Sequence, residues 1–464
     1  MFTALKRRKI VQFLRQTDYD RLLRHGEQRL IKAFQRAARQ VPAYRQILSQ
    51  NHVPVSAIQR PEHFQAHVPV IDKKIFSAYP LADLCCGGRL DKVAAVMSSS
   101  GFSGSFSYSL STQSDAELTA DVVDALLDAR FDAFNRKTLF ISCLGMGVKV
   151  PTRLPLAEVG QRADIALAVI EKLQLYYEQI IIIGNTYFLK KLIEDGRDRG
   201  LDWPRLRVHV IMGEDWFPES YRDYLSSLLG ISMDHPHTSS VMSTMGISEL
   251  GISLFQEDED LVRIRRMAVK NEQFSRALFG RNLPFTPLIF YYNPLQVYVE
   301  EVEGELVFSN LSPDAILPLM RYAPHDLGGC ISRARLKNVL HDFGVSELMP
   351  SWPLPLVWVG GRAGKTLDVD GQNVTPEQIK ALLYSHPALA QVTTGYFHLS
   401  GKRRKLVIEI QLKPGIDPDV TLHKTAQSVF SGLTPRKPEI TIYPYIEFPY
   451  GIELNYEGKF RYVG

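Results

Sequence analysis

Five stretches of the chain set hydroxyl, carboxylate or basic side chains among glycines, the composition from which loops for phosphates and sugars are made. Ser98-Ser99-Ser100-Gly101-Phe102-Ser103-Gly104-Ser105 follows an apolar run at 93–97, and its two glycines can turn several backbone N–H groups onto one phosphate. It is not a Walker loop, because no Gly-Lys-Ser/Thr closes it; the same composition also makes an ordinary surface turn. Gly246-Ile247-Ser248-Glu249-Leu250-Gly251 reads as a loop with a hydroxyl beside a carboxylate, suited to a Mg²⁺ carried by phosphates or simply a solvated acid. In Arg321-Tyr322-Ala323-Pro324-His325-Asp326-Leu327-Gly328 an aspartate held in a turn can accept from two ribose hydroxyls, and in Gly361-Arg362 a guanidinium can fork phosphate or ribose oxygens. Either could equally be a turn former or a surface ion pair. Glu457-Gly458-Lys459-Phe460-Arg461-Tyr462 presents a lysine near the end of the sequence, where a solvated tail is the alternative.

The elements that must hold these stretches read as an α/β protein. A chain of 464 residues with 45% hydrophobic content can bury a large core in two to three folding units. Apolar residues recur at helical spacing over 19–48 in an N-terminal helical layer. Helical patterns at 115–131, 165–175 and 187–194 then alternate with β-branched runs at 138–142, 180–183 and 208–212, as in strands covered on both faces. Hairpin-like strands near 300–308 and 353–359 predict an added β subdomain. After the glycine-rich stretch at 360–365 a strand pair (391–399, 405–412), a helix (421–431) and a strand (440–445) predict a small α+β domain. The expected organisation is a large N-terminal unit over 1–360 and a small C-terminal domain over 361–464.

The formal charge of +4, from 54 basic and 50 acidic residues, does not mark a dedicated polyanion binder, and no nucleic-acid partner is expected, although phosphates could still meet local basic groups. Cys85, Cys86, Cys143 and Cys330 have no ligand spacing, as expected of reduced thiols in a cytoplasmic protein. The apolar run at 180–183 is too short for a membrane span. The basic turn Lys402-Arg403-Arg404-Lys405 and the basic start at Lys6 and Lys9 could meet acceptor phosphates or stay solvated.

In order and spacing the five stretches resemble the superfamily of AMP-forming ligases, most closely its phenylacetate-CoA ligase-like branch, over nearly the whole chain. The family loop Ser-Ser-Gly-Thr-Thr-Gly-Lys-Pro is matched by Ser99-Ser100-Gly101-Phe102-Ser103-Gly104-Ser105-Phe106, with Asp115 opening the next helix. Val41-Pro42-Ala43-Tyr44 is similar to the start of that branch. Val210-Ile211-Met212-Gly213-Glu214-Asp215-Trp216 is similar to the strand that ends in Gly-Ala-Glu-Pro and lines the adenine pocket. Met245-Gly246-Ile247-Ser248-Glu249 is similar to Tyr-Gly-x-Thr-Glu, whose hydroxyl contacts the α-phosphate and whose glutamate holds Mg²⁺. The resemblance implies that Asp326 binds ribose, that Arg362 opens a mobile C-terminal domain, and that Lys459 bridges the carboxylate and α-phosphate in the transition state.

The implied activity is ATP-dependent conversion of an aryl or medium-length carboxylic acid to its acyl-AMP, then transfer to a thiol, CoA in first place. Other readings stay open: a phosphopantetheine thiol on an acyl carrier protein, a protein thioester, an amine acceptor, or a nucleotide-binding relative without turnover. Three departures speak to the last: Ser105 stands where the loop lysine would be, Met245 replaces the adenine-stacking tyrosine with a soft thioether, and Gly364 and Lys365 fill a hinge that is often acidic. The acyl pocket is expected from residues 234–245, with His235, His237, Val241 and Met242, although the two histidines flanking Pro236 also read as plain loop residues.

Overall fold

The computed structural model describes residues 2–98, 106–145, 147–231, 239–362, 366–402, 404–450 and 460–463. Strands β1 (Ala95–Ser98) and β2 (Tyr108–Ser111) pair antiparallel and bracket the serine-glycine stretch, of which residues 99–105 lie outside the described residues. Five parallel strands follow: β3 (Thr138–Cys143), β4 (Leu156–Glu158), β5 (Gln179–Asn185), β6 (Val208–Gly213) and β7 (Ser240–Ile247). Every residue of β3 and β5 is buried, as apolar runs covered by helices on both faces require.

The sheet then changes sense. β8 (Gly251–Gln256), β9 (Leu288–Tyr292), β10 (Val297–Val302), β11 (Glu305–Asn310), β12 (Asp326–Ile331) and β13 (Leu356–Arg362) join antiparallel, giving eleven strands in the order β10-β11-β12-β13-β9-β8-β7-β6-β5-β3-β4. The hairpins expected as an added β subdomain are thus the antiparallel half of the same sheet. Their link to the parallel half is the β7–β8 hairpin, a pairing that local sequence pattern does not announce.

Helix ends follow cap chemistry. Thr112 accepts from the N–H of Asp115 to start the Gln113–Phe131 helix, and Asn185 does the same for Phe188 at the start of Thr186–Asp198. The helical pattern predicted over 19–48 is divided into Tyr19–Gln40 and Pro42–Gln50. Val41 is extended between them, since the ring of Pro42 disfavours the helical conformation in the residue before it. The basic start is a helix, Phe2–Gln16, laid on Gln113–Phe131: Lys6 pairs with Asp121, and Arg7 lies 3.6 Å from Asp128 and 3.7 Å from the Phe134 ring centre. Those two cations serve acids of the neighbouring helix.

Beyond residue 366 no described strand pairs with the large sheet. β14 (Leu367–Val369) and β15 (Gln372–Val374) form a hairpin, and β16 (Thr393–Lys402), β17 (Lys405–Leu412) and β18 (Glu439–Tyr443) form a second sheet in that order. The Pro376–Ser385 helix opens with a capping box between Thr375 and Gln378. This small α+β unit shares an apolar core with the large one, in which Phe188 and Tyr221 continue into Leu383, Tyr384 and Ile408. Among the described residues no helix is long and apolar enough to cross a membrane.

Candidate functional site

Glu249 sits in a tight connection between paired strands, not in an open loop. β7 runs through Met245 and Gly246 to Ile247, the N–H of Leu250 returns to the carbonyl of Ile247 at 2.8 Å, and β8 begins at Gly251 with φ 120°. Glu249 as a whole is 8% exposed. Its carboxylate accepts from the Ser107 hydroxyl at 2.5 Å and from the Ser248 hydroxyl at 3.2 Å. Ser107 lies just beyond the serine-glycine stretch and immediately before β2, so the chain leaving that stretch passes this acid. Among the described residues no cation lies within ion-pair distance of Glu249, and no group of three acids, histidines or cysteines could cage a metal. A single carboxylate amid hydroxyls suits Mg²⁺, which takes one or two protein oxygens and fills its shell with water and phosphate.

Two more stretches are joined across the sheet. Asp326 opens β12 instead of lying in a free turn, and it stands opposite Arg362 of β13, beside an irregularity in the register. Its neighbour His325 has φ 65° and is held by Glu305 at 2.9 Å, with Asp72 at 3.6 Å. Arg321, with φ 52°, donates to the carbonyls of Gln65 and Val68, tying this strand entry to the N-terminal layer. For Arg362 the backbone alone is described.

At the carboxyl end of β6 the chain turns sharply: Glu214 has φ 72°, the N–H of Asp215 returns to the carbonyl of Gly213 at 2.9 Å, and Asp215 Oδ1 accepts from the N–H of Trp216 at 2.9 Å. Carboxyl ends of parallel strands are where open α/β sheets bind ligands. Asp215 Oδ2 accepts from Lys380 Nζ at 2.7 Å, across 165 residues of sequence. Sequence reasoning missed Lys380, because nothing around it in the Pro376–Ser385 helix marks a partner in the other unit.

Below β7 lies a largely apolar cavity lined by Val123, Leu127, Phe131, Phe140, Ile183 and Met242, with Ser243, Thr244, Gln256 and Glu257 as polar neighbours. Met242 is therefore where a pocket residue was expected. Val241 is not: strand alternation turns it into the main core on the other face, where its carbonyl accepts from Arg222 at 2.6 Å. Arg130 also lines the cavity, but its charge is matched by Glu259 at 3.0 Å and Asp258 at 3.7 Å. Burial pushes the Asp258 carboxyl up to about 6 despite Arg130. Behind β7, Arg222 binds Glu219 and Glu257, each at 2.9 Å, and Glu257 accepts from the N–H of Ser243 at 3.0 Å. Arg265 adds a 2.5 Å bond to Glu219, whose carboxyl Arg222 and Arg265 hold down at about 2 against the opposing effect of burial.

Ser99, Ser100, Gly101, Phe102, Ser103, Gly104, His235, His237, Gly364, Lys365 and Lys459 lie outside the described residues. Next to Lys459, however, Phe460 packs on Tyr396 with ring centres 4.8 Å apart, and Tyr462 hydrogen-bonds Tyr187 of the large unit.

No family model matches the chain, and no curated protein matches it. Solved structures do. A 2-hydroxyisobutyryl-CoA ligase in its postadenylation state, in complex with R3-HIB-AMP, aligns with a TM-score of 0.67 at 14% identity over 94% of this chain and 88% of that one. The same ligase in its thioesterification state, with 2-HIB-AMP and CoA, gives 0.57 at 13% identity over 98% and 91%. An anthranilate CoA ligase, AuaEII, in complex with anthranoyl-AMP gives 0.50 at 13% identity over 86% and 74%. The mixed sheet, its capping helices and the small α+β unit are thus the fold of AMP-forming acyl- and aryl-CoA ligases.

Proposed function

We propose that this protein activates a carboxylic acid with ATP and passes the acyl group to a thiol, CoA in first place. The observation that carries the reading is the meeting of Ser107, Ser248 and Glu249, which sets the chain just past the phosphate-loop stretch against a carboxylate free of any cation among the described residues. That the fold is one in which solved CoA ligases hold acyl-adenylates adds support.

In the first half-reaction an oxygen of the acid attacks the α-phosphorus, and the bond to pyrophosphate breaks. In the second the thiolate attacks the acyl carbon and AMP leaves. Such chemistry needs positioning and stabilisation of charge on phosphate oxygens more than it needs a protein nucleophile. Ser248 steadies the α-phosphate, the backbone of Gly101 to Gly104 receives the departing pyrophosphate, and Asp326 accepts from the ribose. Gly213, Glu214 and Asp215, with Met245 and Gly246, form the adenine side, and Lys459 stabilises the transition state. Mg²⁺ held by Glu249 would neutralise phosphate charge. Arg362, Gly364 and Lys365 form the link about which the small unit turns.

The acyl group belongs in the cavity below β7, beside Met242. Its aliphatic and aromatic walls, and an Arg130 already neutralised, favour an acid with an uncharged apolar body over a dicarboxylate. Pyrophosphate release with aromatic, branched and straight-chain acids tests the first step. CoA, an acyl carrier protein and amines, offered in turn, rank the acceptors. If ATP binds but no acid in the panel releases pyrophosphate, the ligase reading fails and the non-catalytic one replaces it.

A further inference from the structure

Lys380 belongs to the small unit, yet its ammonium is engaged by the large one. Nζ donates to Asp215 Oδ2 at 2.7 Å and lies 3.5 Å from the Trp216 carbonyl. It also stands over two tyrosine rings, 5.3 Å from the centre of Tyr187 in the large unit and 4.5 Å from that of Tyr462 in the small one. The lysine side chain is 4% exposed, against 36% for Asp215. An ammonium hidden to that degree must be matched by charge or ring faces, and here the match is complete only when both units are together. Asp215 is itself part of the tight turn after β6, and Tyr462 lies close to the end of the sequence, its carbonyl accepting from the N–H of Leu399 at 2.7 Å.

We propose that Lys380 is a positioning residue for acyl-AMP formation, fixing the Gly213–Asp215 turn for the nucleotide only while the small unit is docked as it is here. The proposal rests on the ligase reading and adds a coupling to it. When the small unit departs, Lys380 leaves with it, Asp215 loses its cation, and the nucleotide side of the site loosens as the second half-reaction begins. Because Asp215 is partly solvated, water can replace the ammonium, and the contact is one that can be made and broken. The arrangement also aligns better with the postadenylation state than with the thioesterification state of one ligase, 0.67 against 0.57.

The test uses the full chain and separates the half-reactions. Lys380→Met keeps an apolar stem over the rings and removes the charge. Acyl-AMP formation is expected to fall by on the order of 10²-fold, the cost of a small misplacement, with a raised KM for ATP. Transfer from chemically made acyl-AMP to the thiol is expected to change less than about twofold, and Lys380→Arg to recover part of the first step. Asp215→Asn should reproduce the loss, and the double variant should be no worse than either single one. Equal losses in both half-reactions, tracking a lower melting temperature, would mean a merely structural lysine; additive losses would mean that Lys380 and Asp215 act apart. If the wild type makes no acyl-AMP from any acid, the ligase reading fails on its own. ATP affinity by calorimetry then decides the coupling: a fall of roughly tenfold in Lys380→Met supports it, and an unchanged affinity overturns it.

Discussion

Two buried ionic networks border the proposed site, and they differ in what they join. Behind β7, Arg222, Glu219, Glu257 and Arg265 all come from the large unit, and all four side chains are 5% exposed or less. Between the units, Lys190 donates to Glu194 at 2.7 Å and to the carbonyl of Thr393 at 2.9 Å, and Lys413 reaches Glu194 at 2.9 Å. Tyr224 donates to the same carboxylate. Large-unit charges are thus matched by the small unit's Lys413 and a backbone carbonyl. Opening the first network means unfolding β7, and with it the strand that leads to Glu249. The second would open if, as proposed, the small unit moves, and each charge would then meet water. Buried charge therefore makes a frame within one unit in one place and a seam between two units in another.

The sharpest way to break this comparison is to remove one charge from the permanent frame. Arg222→Met leaves Glu219 and Glu257 with one fewer buried partner, and it should cost about 3–5 kcal/mol of stability. Urea unfolding would measure it. Lys413→Met in the seam should cost clearly less, since Lys190 and Tyr224 still serve Glu194. Equal losses would erase the distinction between frame and seam.

Next in size are effects on the chemistry. Glu249→Gln and Lys459→Ala should each cut acyl-AMP formation by on the order of 10²–10³-fold, the usual cost of one preorganised electrostatic group. They should part in the second half-reaction and in metal dependence. Glu249→Gln should need more Mg²⁺, whereas Lys459→Ala, given chemically made acyl-AMP, should still transfer the acyl group. A Glu249→Gln variant fully active at low Mg²⁺ would remove that carboxylate from the site. Asp326→Ala should weaken AMP binding by about 1.5–3 kcal/mol for each ribose bond lost, and a dideoxyribose analogue should not sense the change. Equal losses for both nucleotides would leave Asp326 a purely structural role at the start of β12.

How much of this could be read beforehand follows from the range of each interaction. The parallel strands were legible because Ile180, Ile181, Ile182 and Ile183 form an apolar run of strand length, and the helix break at Val41 because proline acts on its immediate neighbour. The antiparallel strands were legible as an added β subdomain but their place in the large sheet was not, because β9 pairs with β8 and with β13, and sequence pattern gives strands without their partners. The local geometry of Glu249 and Asp326 was not legible: a loop was expected where a hairpin stands, and a turn where a strand begins. Val241 and Met242 were both expected at the acyl pocket, and only Met242 lines the cavity below β7, because which strand face meets a cavity is not written in the local sequence. Lys380 and Lys190 left no local signal, since their partners lie 165 and 203 residues away.

The smallest expected effect concerns the seam and its dependence on pH. Burial pulls the Lys190 ammonium down from 10.5 to about 8, against the opposing pull of Glu194. Between those values the unfolded chain holds a proton on Lys190 that the folded chain has released. The unfolded state therefore binds more protons, and this group's contribution to stability rises with pH across the window from about 8 to 10.5. Other buried groups act in the opposite sense. Burial raises the thiol of Cys85 to about 11 and those of Cys143 and Cys330 to about 12, and it raises the phenols of Tyr187 and Tyr462, so each keeps its proton in the fold longer than in the unfolded chain. These groups lower stability as the solution becomes alkaline. They are common to wild type and Lys190→Met, so the difference in unfolding free energy between the two proteins at each pH isolates the lysine. That difference should be flat below pH 8 and then move in favour of wild type by about 1 kcal/mol per pH unit. A flat difference from pH 7 to 10 would mean that Lys190 keeps its proton throughout, and that the seam is a permanently charged joint like the frame behind β7.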